Sequence, residues 1–120
     1  MKIIITESQM NGYLTSDRLD NIINRTIDKF MTDLRPINVY KHNLVIYENE
    51  DGEYVMGVVR MENGLNYVII NRDVLHEYLM NVLNDDVLVR NYLQEWLNNH
   101  GYEGYILQIR DNNVFKSLLP

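Results

Sequence analysis

Cysteine is absent from this 120-residue chain, and that one absence removes a disulfide scaffold, thiolate metal sites and a cysteine nucleophile together. A reducing compartment is compatible with it. No stretch approaches the roughly 20 apolar residues of a membrane span. The N-terminus holds one lysine, three apolar residues and then polar ones, so it lacks the apolar core of a signal peptide. The expectation is a soluble protein, intracellular or packaged inside something made there. Basic residues are few: 11 Lys and Arg against 17 Asp and Glu leave a net charge of -6. They are scattered singly, whereas phosphate neutralisation needs them clustered, so nonspecific nucleic-acid binding is not expected. Alanine is missing altogether, while the chain has sixteen asparagines, twelve isoleucines and nine tyrosines. Asn, Ile and Tyr have AT-rich codons and Ala has GC-rich ones, which implies an AT-rich genome.

Catalytic material is equally thin. The serines are Ser8, Ser16 and Ser117, two near expected helix starts and one in the tail, and none stands in a nucleophile-elbow context. Asp17/Asp20 and Asp85/Asp86 are carboxylate pairs that helix capping explains more simply than acid-base catalysis. His42, His76 and His100 fall on three different elements, without the i, i+4 spacing of a helical metal site. Glycine-rich phosphate loops are lacking. Glu48, Glu50, Asp51 and Glu53 crowd one hairpin tip, but the stretch has no EF-hand frame, so a solvated acidic tip is expected rather than a calcium site. Neither an enzyme nor a cofactor nor a metal is expected.

What the chain does contain is periodic apolar structure. Ile3, Ile4 and Ile5 read as a short strand, and Thr6 with Gln9 has capping-box spacing. Asn11-Gly12 marks a turn or helix end. Ser16 to Leu34 carries apolar residues at three- and four-residue intervals, with Thr15 or Ser16 as N-cap and Pro36 as the stop. From Ile37 to Asn71 the pattern is that of a three-stranded antiparallel meander turning at Asp51-Gly52 and Asn63-Gly64. With two-residue turns, Glu50 pairs with Glu53 and Glu62 with Leu65. One face then carries Val45, Tyr47, Met56, Val58, Tyr67 and Ile69, and the other Leu44, Ile46, Val55, Val59, Met61, Val68 and Ile70. Both faces are apolar, which requires helices on both sides or cover from another chain. Asp73 to Leu83 and Asp86 to Asn99 read as helices, with Asp73 and Asp86 as N-caps and Gly101 closing the second. Trp96 lies on the apolar stripe of that second helix and reads as core. A last strand places Tyr105, Leu107 and Ile109 on one face. The expected fold is one α+β domain over 1-120, in the order β-α-β-β-β-α-α-β. Residues 111-120 are a candidate docking tail.

The opening "KIIITESQ" before a capped helix, and the later "VRNYLQEWLNNHGYEGY", resemble stretches of small proteins of tailed bacteriophages, crAss-like phages among them. The resemblance spans about a fifth of the chain on short motifs, and it transfers no functional residue. It implies a virion component or another small phage protein, located in the virion or the host cytoplasm. The expectation is a noncatalytic structural or assembly protein that binds other virion proteins or itself, with no nucleic acid or membrane as partner. Its expected contact surfaces are Val45, Tyr47, Met56, Val58, Tyr67 and Ile69, together with the tail residues Val114, Phe115, Leu118 and Leu119. The alternative is an acidic phage protein whose hairpin-tip carboxylates engage a basic host protein. Binding indifferent to ionic strength would count against that alternative.

Overall fold

The computed structural model describes residues 16-39 and 43-119. The expected Ile3-Ile5 strand, the Thr6/Gln9 capping box, the Asn11-Gly12 turn, Thr15 and His42 lie outside the described residues. Helix α1 (Ser16–Phe30) comes first, followed by the strands β1 (Arg35–Val39), β2 (Leu44–Glu48), β3 (Tyr54–Arg60) and β4 (Asn66–Asn71). A single π-helical turn (Arg72–His76) then leads into α2 (Glu77–Leu83), α3 (Asp86–Asn99), β5 (Ile106–Arg110) and α4 (Asn112–Leu118). The five strands form one sheet in the order β1-β2-β3-β4-β5. Its first four strands run as an antiparallel meander, and β5 joins β4 in parallel after the α2-α3 crossover. The fold is thus α+β with a five-stranded mixed sheet.

Strand β1 is an addition to the expected meander. The helix expected to reach Leu34 ends at Phe30, and the chain reverses through Asp33 in a left-handed conformation (φ 57°). Pro36 therefore does not merely stop a helix. It sits in an edge strand, where a residue without an N–H is tolerated.

Both hairpin turns hold three residues rather than two, and this decides which side chains face where. Asn49 N–H donates to Glu53 O across Glu50-Asp51-Gly52, and Met61 N–H donates to Leu65 O across Glu62-Asn63-Gly64. Gly52 (φ 81°) and Gly64 (φ 88°) supply the left-handed residue such loops require. A longer loop slips the register by one. In the first hairpin a bulge restores it, because Glu48 opposes Tyr54 while Tyr47 opposes Met56, with Val55 as the extra residue. The second hairpin has no such correction, and Val58 opposes Val68 while Val59 opposes Tyr67. The expected β4 faces are therefore exchanged: Val68 and Ile70 join Tyr47, Met56 and Val58, and Tyr67 and Ile69 lie on the other side.

Helices cover both sides of this sheet. Ile23 and Ile27 of α1, Leu79 and Leu83 of α2, and Val89, Leu93, Trp96 and Leu97 of α3 pack on Met56, Val58, Val68, Ile70 and Ile109. On the opposite side Phe115 of α4 packs with Val39, Leu44, Ile46 and Ile69, and Leu118 and Leu119 flank it. The tail is thus mostly helical, with Asp111 accepting from Val114 N–H as its N-cap. Gly57 leaves the room beneath it, since a Cβ there would lie 3.1 Å from Leu44 Cδ1 and 3.7 Å from Phe115 Cε2. The caps of the crossover helices fall one or two residues earlier than expected: Asn71 accepts from Asp73 N–H, and Asp85 accepts from Leu88 N–H.

Candidate functional site

The expected contact residues divide between core and surface. Met56 and Val58 are buried beneath α1, α2 and α3, and Val45 and Tyr47 on the same face are half-buried. Ile69 and Phe115 are buried in one cluster against which half-buried Leu118 and Leu119 pack, and Val114 is half-buried as well. Tyr67 is half-buried beside exposed apolar residues, and Tyr47 borders a cleft. Of the two expected ways to cover the apolar sheet faces, helices on both sides or another chain, the first accounts for most of the cover.

The acidic tip also divides. Glu48 is buried and ion-paired with Arg35, its cross-strand partner on β1, so it belongs to the β1-β2 ladder rather than to the solvated tip. Glu50, Asp51 and Glu53 are exposed. Asn49 organises them: its Oδ1 accepts from Asp51 N–H and Glu53 N–H, and its Nδ2 donates to Glu53 Oε1 at 2.9 Å. That Asx-type turn accounts for the residue types at the tip.

His76 is buried with Nε2 2.8 Å from Asp86 Oδ1, while Arg90 donates to the other oxygen of that carboxylate. The hydrogen bonds from Arg90 and then His76 hold the Asp86 carboxyl below its ordinary range. His100 stacks on Trp96 at 3.8 Å between ring centroids. No group of three or more His, Cys, Asp or Glu side chains among the described residues is placed to hold a metal ion. No helix among them is long and apolar enough to cross a membrane.

Two surface features stand out from this background. The first is the end of the α4-side sheet face that no helix among the described residues covers. Val59, Tyr67 and Ile106 are in register across β3, β4 and β5, and Met61 and Leu65 continue the same face at the turn. Met61 (43%), Leu65 (48%) and Ile106 (44%) are exposed. α4 has seven residues and reaches only the other end.

The second feature is a cleft of about 330 Å³ on the opposite side of the sheet. The connection from α1 to β1 contributes Met31, Asp33 and Leu34. The cross-strand pair Tyr47 and Met56 forms the floor, and Trp96 and Tyr102 complete the lining. Two of its rings are held in place. Trp96 Nε1 donates to Asp28 Oδ1 at 2.7 Å, and the indole stacks on His100. Tyr102 meets Tyr105 edge-on at 5.4 Å, and the Tyr105 hydroxyl accepts from Arg60 Nε. Burial first, and Tyr47 second, push the Tyr102 hydroxyl above its ordinary range, against an opposing effect of Arg60. Trp96 is 8% exposed, in keeping with its place on an apolar helical stripe, but nothing in that spacing indicates that one side borders a cleft.

Comparison with known proteins returns no family model, no curated protein and no solved structure that matches this chain.

Proposed function

We propose that this chain is a noncatalytic structural or assembly protein of a tailed-phage virion, working by protein-protein contact, in the first place with further copies of itself. The observation that carries this reading is the bare end of the α4-side sheet face. A sheet face that meets water carries polar residues, whereas here Met61, Leu65 and Ile106 are exposed and, with half-buried Tyr67, continue that face as apolar surface past Val59, where packing against the α4-side cluster ends. A contiguous exposed apolar surface of this kind marks an interaction site. Tyr67 at its centre is the residue type that anchors interfaces, offering a large rigid contact area with a polar tip. The resemblance of the two end stretches to small phage proteins supports the virion setting.

The test is the solution mass by light scattering over a range of concentrations. The expected result is a defined oligomer that the combined Met61→Ser, Leu65→Ser and Ile106→Thr substitution returns to monomer with an unchanged circular-dichroism spectrum. A wild-type chain that stays monomeric at every concentration would overturn self-association.

A further inference from the structure

The aromatic cleft lies on the opposite side of the sheet from the bare face, so its chemistry is independent of any assembly through that face. Half-buried Tyr47, Tyr102 and Met31 line one opening, and buried Trp96, which has His100 on one ring face, and Met56 border it from within the core. Ring faces carry the negative end of a quadrupole, and a cation held against several of them is attracted without needing a full shell of hydrogen bonds. Thioether sulfur is polarizable and adapts to such a guest. The lining contains no cationic side chain and one anionic one, Asp33, which is exposed and makes no ion pair or hydrogen bond among the described residues. The charged or titratable groups packed around the cleft are Asp28, which accepts from Trp96, His100, which stacks on Trp96 and faces Asp28, and Arg60, which donates to the hydroxyl of Tyr105 beside Tyr102. An anion entering would meet the Asp33 carboxylate and no cationic side chain of the lining, with only the phenol O–H groups of Tyr47 and Tyr102 to donate to it. A cation would face a complementary charge, in a chain whose net charge is -6.

We propose that this cleft binds a small alkylated ammonium ion, its methyl groups against Tyr47, Trp96 and Tyr102 and its charge balanced by Asp33. The volume of about 330 Å³ lies at the small end of ligand sites, which range over roughly 300-1,000 Å³. That size suits a choline-like cation rather than a drug-sized molecule. Pre-set rings favour binding because little side-chain freedom is left to lose.

The chain has a single tryptophan, so intrinsic indole fluorescence comes from Trp96 at the wall of the cleft. The experiment titrates the purified full chain with choline chloride, and in parallel with 3,3-dimethylbutan-1-ol, its uncharged carbon isostere, at matched ionic strength. The expected result is a saturable change with choline and binding at least about fivefold weaker for the isostere, the scale set by a partly desolvated cation–π contact. The Asp33→Asn variant should weaken choline about two- to fivefold and leave the isostere unchanged. Asn is at home in the left-handed conformation that residue 33 adopts, so this variant keeps the turn. A second variant, Tyr47→Leu, retains apolar volume while removing one ring, and should weaken choline more than the isostere. Equal binding of choline and its isostere would overturn the proposal in favour of a merely apolar cleft. No spectral change with either, checked by the methyl NMR signals of Met31 and Met56, would overturn it outright.

Discussion

Asn71 has no exposed surface, yet every polar atom of its side chain has a partner. Its Nδ2 donates to Tyr54 O at 2.6 Å and to Asn112 Oδ1 at 3.0 Å, and its Oδ1 accepts from Asp73 N–H at 2.9 Å. Asp73 Oδ2 in turn accepts from Asn112 N–H, so the end of β4, the π-helical turn and the start of α4 are joined through side chains. Removing a buried partner leaves Asn112 and the Tyr54 carbonyl unsatisfied and strips the cap from the helical turn. Asn71→Ala should cost about 2-3 kcal/mol in chemical denaturation, the sum of a lost cap and an orphaned buried group. A loss under about 0.5 kcal/mol would refute this account of the junction. Asn is common in this chain and favours turns, so nothing about residue 71 in the sequence separates it from the exposed asparagines. Its burial is a tertiary fact.

At the scale of elements, the meander shows how far turn chemistry reaches. Asp51-Gly52 and Asn63-Gly64 are true hairpin signals, and the body of β2-β3 pairs as expected because the Val55 bulge offsets the third loop residue. β3-β4 has the same loop without a bulge, and each β4 side chain turns to the other face. Loop length within an Xaa-Gly turn depends on how the flanking strands twist and pack, which local sequence does not encode. The tail is the other element whose role is set by packing. Phe115 is 1% exposed and seated over Gly57, so α4 is part of the core on its side. Phe115→Ala should destabilise the chain by about 3-5 kcal/mol, as for other fully buried aromatic truncations. Thermal melts that leave the midpoint unmoved would mean α4 is dispensable. The helices themselves were legible, since α1 and α3 follow apolar spacing closely, with α1 ending at Phe30 rather than Leu34 and the N-cap of α3 at Asp85 rather than Asp86.

For the molecule as a whole, pH should act at two ends through groups that link separate elements. Tyr92 of α3 donates its hydroxyl hydrogen bond to Asp20 of α1, and burial first, then that carboxylate, raises its pKa above the ordinary value near 10. The folded state therefore holds this proton more tightly than the unfolded chain. The contribution is complete below pH 10 and is lost as pH rises beyond it. Asp86 is shifted the other way, so its contribution is present above the ordinary carboxyl value of 3.8 and fades as pH falls through its lower folded value. Denaturation midpoints followed against pH should thus decline above pH 10, with the alkaline decline shallower in Tyr92→Phe. An identical alkaline limb in that variant would remove Tyr92 as the cause.

What the sequence by itself determined is the class of the fold and its limits. Helical and alternating periodicities are properties of neighbouring residues, so they place helices and strands, and the cysteine count and charge bound the chemistry directly. Doubly apolar strands already demanded cover on both faces of the sheet. Only the tertiary structure decided which residues provide that cover, that β1 extends the meander at its Pro36 edge, and that β5 returns parallel beside β4. It alone left Met61, Leu65 and Ile106 bare, and it alone brought Tyr47, Trp96 and Tyr102 to one cleft. These outcomes depend on register and on contacts between residues far apart in the chain. A one-residue slip in a hairpin changes every facing partner while leaving each local pattern intact.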